Sequence, residues 1–274
     1  MKKYEKHQPK RFEETAEPEV MPMMLGLFDV LGFSNRIKQI GIHKIHELYE
    51  SLIKNAVIDD GILSIGTHRY GDGTASPTVF TFQANFAFFS DTILLWSPLQ
   101  PMFVGPFVQK CTNLFCEALL AEVPLRGAIS IGEAILHRNS STYLGEPIVE
   151  AARLEAAQNW IGLTLAPSSH WNDFVAELNP MQIIEYDPPL KDNYDNAKPI
   201  ICIDWPRTWR ESRKTSPNCH LEKMISAPEF EKYFRNAMDF CDFSEKNKDW
   251  HENPRPGARL TMGRHPIEEK NKEK

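Results

Sequence analysis

Residues 24–33 read MLGLFDVLGF, the form expected of a short buried strand that ends at an acid. Apolar residues and one glycine run without interruption up to Asp29, which is the form of a central strand buried by its neighbours. A carboxylate at the end of such a strand is costly unless a cation or hydrogen bonds neutralise it. Asp29 is therefore a candidate functional residue, although capping a helix N-terminus is also an ordinary role for aspartate.

A second aspartate, Asp91, occupies a comparable place further along the chain. Residues 78–88 and 92–96 predict two strands that meet at Ser90 and Asp91 as a hairpin. Aspartate is common in turns, so either acid alone has an ordinary explanation. Together they indicate another role, because Mg²⁺ and Mn²⁺ take one or two carboxylates, backbone carbonyls and substrate phosphates as ligands.

The segments around these acids alternate between helical and strand periodicity. Helices are predicted at 37–52, 103–118, 147–160 and 230–241, and further strands at 125–131, 183–184 and 200–203. The order favours an α+β or α/β sandwich, with a mostly antiparallel sheet covered by helices.

Composition excludes several classes of protein. The 274 residues carry a net charge of −6, which provides no basic surface for a nucleic-acid duplex. Five cysteines without CxxC or zinc-like spacing, and no signal peptide, predict buried thiols in a reducing cytoplasm. The longest apolar stretches contain polar residues, so no membrane insertion is expected. Neither a nucleophilic triad nor a Walker-type loop is present.

Four short segments, in order, resemble the class III nucleotidyl cyclase catalytic domain. They are LFDVLGF (27–33), FFSD (88–91), LRGAISIG (125–132), and Gly145 followed by VEAARLE (149–155). The resemblance covers about residues 24–205. It implies a ferredoxin-like fold that pairs head to tail into a homodimer, with active sites shared between the two protomers.

The resemblance also implies roles for individual residues. Asp29 and Asp91, with the Val30 carbonyl, would hold two divalent cations, Mn²⁺ or Mg²⁺. Arg153 of the partner protomer would steady charge on the phosphoryl group in the transition state. Without the resemblance, Arg153 is a helix cation that pairs with Glu150 or Glu155.

Further positions are candidates for binding substrate. Phe33 belongs to the first matching segment, and Arg126 opens the strand predicted at 125–131, where it either approaches phosphates or caps the sheet edge. Lys198 is a candidate triphosphate lysine. Lys191 competes with it, and an ordinary solvated lysine is the alternative for both.

Four departures from the family pattern bear on the substrate. Val149 replaces an asparagine that orients the ribose, and Glu133 replaces a phosphate-gripping arginine. Ala87 and Thr142 stand where adenylyl cyclases carry the lysine and aspartate that read adenine. Base discrimination needs such polar groups, so the pattern speaks against ATP.

This combination resembles the pyrimidine cyclases of bacterial antiphage (Pycsar) defence. The matching details are FSD (89–91), GEP (145–147), LEAAQNW (154–160) and DWPR (204–207). The resemblance implies UTP or CTP as substrate, cyclic UMP or cyclic CMP as product, and a separate effector protein that responds to it. A purine cyclase and a non-catalytic dimerising or nucleotide-sensing module remain as alternatives.

The chain is predicted to divide into four parts. Residues 1–20 form a charged arm, 21–205 the cyclase domain, 206–243 a helical extension and 244–274 a polar tail.

Overall fold

The computed structural model describes residues 17–58, 63–69, 75–169, 182–192, 194, 201–225 and 228–248, with the backbone alone at 63–69 and 75–81. The strands are β1 (Met21–Val30), β2 (Leu63–Arg69), β3 (Ala75–Thr81), β4 (Asn85–Phe89), β5 (Thr92–Pro98), β6 (Leu125–His137), β7 (Thr142–Gly145), β8 (Leu163–Leu165), β9 (Ile183–Glu185) and β10 (Ile201–Ile203). The α-helices are α1 (Phe33–Ile40), α2 (Ile42–Ile53), α3 (Pro101–Leu120), α4 (Glu146–Ala157), α5 (Trp205–Arg213), α6 (Asn218–Met224) and α7 (Pro228–Lys246).

One eight-stranded sheet organises the molecule. Its order is β4-β5-β1-β6-β8-β10-β9, with β7 paired to β6, while β2 and β3 form a separate two-stranded sheet. The strand β1 lies antiparallel between β5 and β6. The succession β1, α1 with α2, β4, β5, α3, β6 is therefore a βαββαβ unit of ferredoxin-like topology. The predicted α+β class with a mostly antiparallel sheet is confirmed.

Alternate residues of β1 point to the two faces of the sheet. Met24 and Phe28 join a large apolar core beneath α2, α3 and the C-terminal helices. Leu25 and Leu27 join a smaller core beneath α4. Asp29 continues the second set, so the strand's alternation directs its carboxylate to the face that carries α4.

Two predicted elements are each divided in the structure. The helix predicted over 37–52 is broken at Gly41, which separates α1 from α2. Its φ of 81° lies in the left-handed region, which glycine adopts without strain. The prediction of one continuous strand over 78–88 was wrong. Its first part belongs to β3 and its last part to β4, because residues 82–84 leave the extended ladder between two different sheets.

The C-terminal helices share the main core. Trp209 of α5 and Phe240 of α7 are fully buried in it. Helix α5 begins one residue before the predicted extension, and α7 ends three residues after it. Within the described residues, none of the helices combines the length and apolarity needed to cross a bilayer.

The five cysteines are all free thiols, and four are buried as expected. Burial raises the pKa of the Cys116 thiol to about 12, which makes it unreactive. Cys219 differs because it lies exposed on α6.

Candidate active site

The sheet brings Asp29 and Asp91 to the same edge. Asp29 stands opposite Thr92 on β5, the residue that follows Asp91. The Val30 N–H donates to the Asp91 backbone carbonyl at 3.1 Å, which ties the hairpin tip to the end of β1. Ser90, with φ of 57°, makes the tight turn that presents Asp91. The predicted hairpin at Ser90-Asp91 is thus confirmed.

The guanidinium of Arg126 supplies positive charge beside Asp29. It lies opposite Asp29 on β6, and its Nη2 donates to Asp29 Oδ2 at 2.9 Å. The same nitrogen lies 2.7 Å from Glu155 Oε1, close enough for an ion pair but without hydrogen-bond alignment. Its Nη1 donates to the Gln158 carbonyl at 3.2 Å. Only 9% of Arg126 is exposed, so its charge is held almost entirely by these oxygens.

Glu155 reaches the site from the buried face of α4. It is 7% exposed, and burial raises its pKa to about 7, with Arg126 opposing the shift and Asp29 and Asp91 adding to it. The site therefore sets three carboxylates against one close arginine, with Lys191 a more distant positive influence on Glu155. Excess negative charge of this kind attracts a cation.

Tyr49 approaches the two aspartates from the opposite side of the sheet. Its ring is buried between Phe33, at 6.1 Å, and Phe88, at 5.4 Å. Its hydroxyl has no hydrogen-bond partner among the described residues. Burial, then the charges of Asp91 and Asp29, raise the pKa of this hydroxyl well above its usual value.

Asp29 and Asp91 supply the kind of oxygen ligand that hard divalent cations take. Among the described residues, no group of three or more His, Cys, Asp or Glu side chains forms a self-sufficient metal site. Mg²⁺ and Mn²⁺ need fewer protein ligands than zinc, because phosphates and water complete the shell. Asp29 and Asp91 lie at the ends of neighbouring strands, and the negative charge around them exceeds the positive charge. They provide the two carboxylates that such an ion takes from the protein.

A cleft of about 530 Å³ lies on the α4 face of the sheet, and Thr92, which follows Asp91 and pairs with Asp29, is one of its walls. The described residues that form its walls carry no charged side chain; they are Leu27, Phe89, Thr92, Leu94, Ser141, Thr142, Tyr143, Leu144 and Ile148. Thr142, a predicted substrate position, lines this cleft. Ala87, another such position, pairs with the cleft residue Leu94 across β4 and β5.

Arg153 lies on the exposed side of α4 and has no hydrogen bond or ion pair to any other described residue. The alternative pairing with Glu150 or Glu155 is wrong. Glu150 instead accepts hydrogen bonds from the Ser168 N–H, at 3.0 Å, and from the Ser168 hydroxyl. Glu155 faces Arg126, on the other side of the helix.

The remaining predicted substrate residues lie elsewhere. Phe33 is buried in the main core and does not line the cleft. Arg126 is engaged by Asp29 and Glu155 rather than left free at the sheet edge. Lys198 lies outside the described residues. Lys191 donates to the Ala156 carbonyl at 2.6 Å, near the end of α4.

The sequence alone did not indicate that Tyr49, Glu155 and Gln158 lie around Asp29, Asp91 and Arg126. A partial signal existed for Glu155, since it follows Ala151 by one helical turn on the buried face of α4. Tyr49 carried no such signal, because an aromatic residue on an apolar helix face ordinarily belongs to the core.

No protein-family model and no curated protein matches the sequence. Among solved structures, the chain is similar to the catalytic core of a rhodopsin-guanylyl cyclase with converted specificity in complex with ATPαS. That match has 9% identity and a TM-score of 0.42, and covers 68% of this chain and 96% of the other.

Two further solved structures are similar in the same sense. For an adenylate/guanylate cyclase/hydrolase from Silicibacter pomeroyi the identity is 16% and the TM-score 0.39, over 68% of this chain and 98% of that one. For a class III adenylyl cyclase-like ATP-binding protein from Pseudomonas aeruginosa the identity is 14% and the TM-score 0.37, over 61% of this chain and 37% of that one.

Proposed function

We propose that the chain is a nucleotidyl cyclase that converts UTP or CTP into the 3′,5′-cyclic monophosphate and pyrophosphate. The observation that carries this proposal is the pair Asp29 and Asp91, held at adjacent strand ends beside an uncharged cleft of about 530 Å³. A nucleoside fits such a cleft, and its triphosphate belongs at the cation-attracting edge.

The chemistry is an in-line displacement at the α-phosphorus. The ribose O3′ forms a bond to the α-phosphorus, the bond from that phosphorus to the pyrophosphate oxygen breaks, and the hydroxyl proton passes to water. Asp29, Asp91 and the Val30 carbonyl would hold two divalent cations. When bound, these ions supply Lewis acidity that lowers the pKa of the 3′-hydroxyl and offsets triphosphate charge.

The direction of Arg153 supports a site shared between two protomers. Residues two apart on a helix point in nearly opposite directions, so Arg153 faces away from Glu155 and from its own Asp29. In a head-to-tail homodimer it would reach the partner's site and stabilise charge that develops on the phosphoryl group.

Exposed apolar side chains near the cleft also support self-association. Phe89, Leu144 and Val149 are 45%, 61% and 49% exposed. The first two line the cleft, and Val149 follows the cleft residue Ile148 on α4. Apolar side chains grouped in this way are typical of a surface that a partner covers.

The proposed pyrimidine specificity rests on Ala87 and Thr142. Neither can form the charged contacts that read adenine, whereas the Ser141 and Thr142 hydroxyls at the cleft can donate to or accept from a pyrimidine edge. ATP or GTP as substrate is the competing proposal. In the defence role implied by the resemblance, the product would act on a separate effector protein.

A second candidate function is a nucleotide-binding module without turnover. The 2.9 Å contact between Arg126 and Asp29 favours it, because an arginine can neutralise the carboxylate in place of a metal. The replacements Val149 and Glu133 favour it as well.

The test is incubation with each of the four nucleoside triphosphates and Mn²⁺, followed by chromatography, with Asp91→Ala as the control. We expect a cyclic pyrimidine nucleotide and pyrophosphate from the wild type only. Cyclic AMP or cyclic GMP as the main product would remove the pyrimidine specificity but keep the activity. No cyclic product from any substrate would leave the binding module.

A further inference from the structure

The carboxylates of Asp29 and Glu155 compete for the same nitrogen of Arg126. Its Nη2 donates to Asp29 Oδ2 at 2.9 Å and lies 2.7 Å from Glu155 Oε1. The hydrogen-bond alignment favours Asp29, which leaves the Glu155 oxygen close by but without an aligned donor. A small rotation of the guanidinium can therefore exchange one carboxylate for the other.

The surroundings prevent Arg126 from leaving the site. Nη1 is anchored on the Gln158 carbonyl at 3.2 Å, and Gln158 Nε2 in turn donates to the Gly127 carbonyl at 2.8 Å. The ring of Tyr233 on α7 covers the guanidinium, with its centroid 5.5 Å from Arg126 Cζ. A buried cation in this position needs a carboxylate at all times, and only Asp29 and Glu155 pair with it among the described residues.

We propose that Arg126 is an internal counter-ion of the metal site, paired with Asp29 while no divalent cation is bound and transferred to Glu155 when one binds. The inference rests on the metal site of the proposed function. Glu155 is then a positioning residue. It acts on metal affinity through Arg126, because it keeps the guanidinium neutralised after Asp29 turns to the metal.

The experiment measures binding of Mn²⁺ alone to purified protein, from the electron paramagnetic resonance signal of free Mn²⁺. Arg126→Gln should tighten Mn²⁺ binding at least fivefold, because the competitor for Asp29 is gone. Glu155→Gln should weaken binding about tenfold in the wild-type background but less than twofold in the Arg126→Gln background. Glu150→Gln, on the same helix and bonded to Ser168, is the matched control and should leave the affinity unchanged.

Equal weakening by Glu155→Gln in both backgrounds would show that Glu155 acts as an ordinary nearby charge and would overturn the inference. So would unchanged or weaker binding by Arg126→Gln. If Arg126→Gln does not fold, nuclear magnetic resonance of the Arg126 guanidinium in the wild type decides. Its signal should move with the same midpoint as Mg²⁺ binding, and an unmoved signal contradicts the exchange.

The outcome is separable from that of the proposed function. Mn²⁺ binding with the expected coupling, but without cyclic product, keeps the inference and removes the cyclase activity. Failure of every variant to bind Mn²⁺ alone overturns the inference but not the proposed function, which the turnover assay tests with nucleotide phosphates present to complete the ligands of the metal.

Discussion

Asp29 and Asp91 have unequal surroundings, although the proposed reaction uses both. Asp29 accepts a charged hydrogen bond from Arg126. The Asp91 carboxylate has no hydrogen bond or ion pair to another described residue, yet it lies near enough to Asp29 and Glu155 to share their electrostatic field. The same substitution should therefore have different effects on folding at the two positions.

Asp29→Ala and Asp91→Ala should each reduce kcat more than tenfold, a barrier increase above about 1.4 kcal/mol. Without metal, Asp29→Ala should lower the free energy of unfolding by about 1–3 kcal/mol, because Arg126 loses a partner. Asp91→Ala should leave the free energy of unfolding unchanged or raise it by about 1 kcal/mol, because it removes a negative charge that Asp29 and Glu155 repel. Urea titration in EDTA measures both, and equal destabilisation would contradict the difference in surroundings.

Tyr49 carries a buried hydroxyl for which the described part of the chain offers no hydrogen-bond partner. Removing a polar group that is buried and unpaired relieves a desolvation cost, so Tyr49→Phe should keep or raise the free energy of unfolding by up to about 1 kcal/mol. The ring contacts with Phe33 and Phe88 stay the same. Urea titration decides, and a loss above about 1 kcal/mol would show that the hydroxyl is paired in solution.

Glu155 should make stability depend on pH. Its pKa is about 7 in the folded protein, above the ordinary value near 4.3 of an unfolded chain. The stability that this group contributes is fully present below about pH 4 and is lost as pH rises to about 7, with a maximum loss of about 4 kcal/mol. Glu155→Gln should remove this loss, so the variant-minus-wild-type difference in free energy of unfolding rises with pH between about 4 and 7 and then levels off. Urea titrations across this range measure it, and a flat or falling difference would contradict the raised pKa.

The two faces of helix α4 carry residues with different proposed roles. Its buried face carries Leu154 and Glu155, and its exposed face carries the row Glu146, Val149, Arg153 and Ala156. These four residues follow the three- and four-residue spacing of one helix side. Helix α4 thus contributes Glu155 to its own site and offers Arg153 to a neighbour.

Arg153→Ala tests this division. Because Arg153 is exposed, the melting temperature should stay within about 1 °C of the wild type. The kcat should fall about 10²–10³-fold, the size expected when one stabilising charge is removed from a transition state. Arg235→Ala, another exposed helix arginine, is the control and should retain full activity. Full activity of Arg153→Ala would remove its proposed role.

For the whole molecule, the proposed shared site predicts complementation. If Asp91 comes from one protomer and Arg153 from the other, a heterodimer of Asp91→Ala and Arg153→Ala chains has one intact site out of two. Random pairing makes about half of the dimers heterodimers, so the mixture should recover up to about a quarter of wild-type activity. Activity is measured after subunit exchange, with native mass spectrometry to count heterodimers. A mixture that stays inactive although heterodimers form would place all catalytic residues on one chain.

Local patterns in the sequence are enough to predict the order of the βαββαβ elements and to place Asp29 at a strand end and Asp91 at a hairpin tip. The apolar run before Asp29, the hairpin at Asp91 and the periodicity of α3 and α4 are properties of neighbouring residues. Short-range sterics and alternation control such features, so they can be derived without the fold. The exposed face of α4 could be predicted only in part. The periodicity of the helix is a local property of the sequence, but which of its sides faces solvent depends on the tertiary structure.

The groups that surround the two acids are brought there by tertiary contacts. Arg126 meets Asp29 across 97 positions of sequence, and it meets Glu155 only because β6 lies beneath α4. Tyr49 lies on the other face of the sheet, and residues 82–84 separate β3 from β4, which belong to two different sheets. Strand order and register set these distances. Since a carboxylate's charge and pKa depend on every group within a few ångströms, the chemistry of the site follows from packing that no local pattern records.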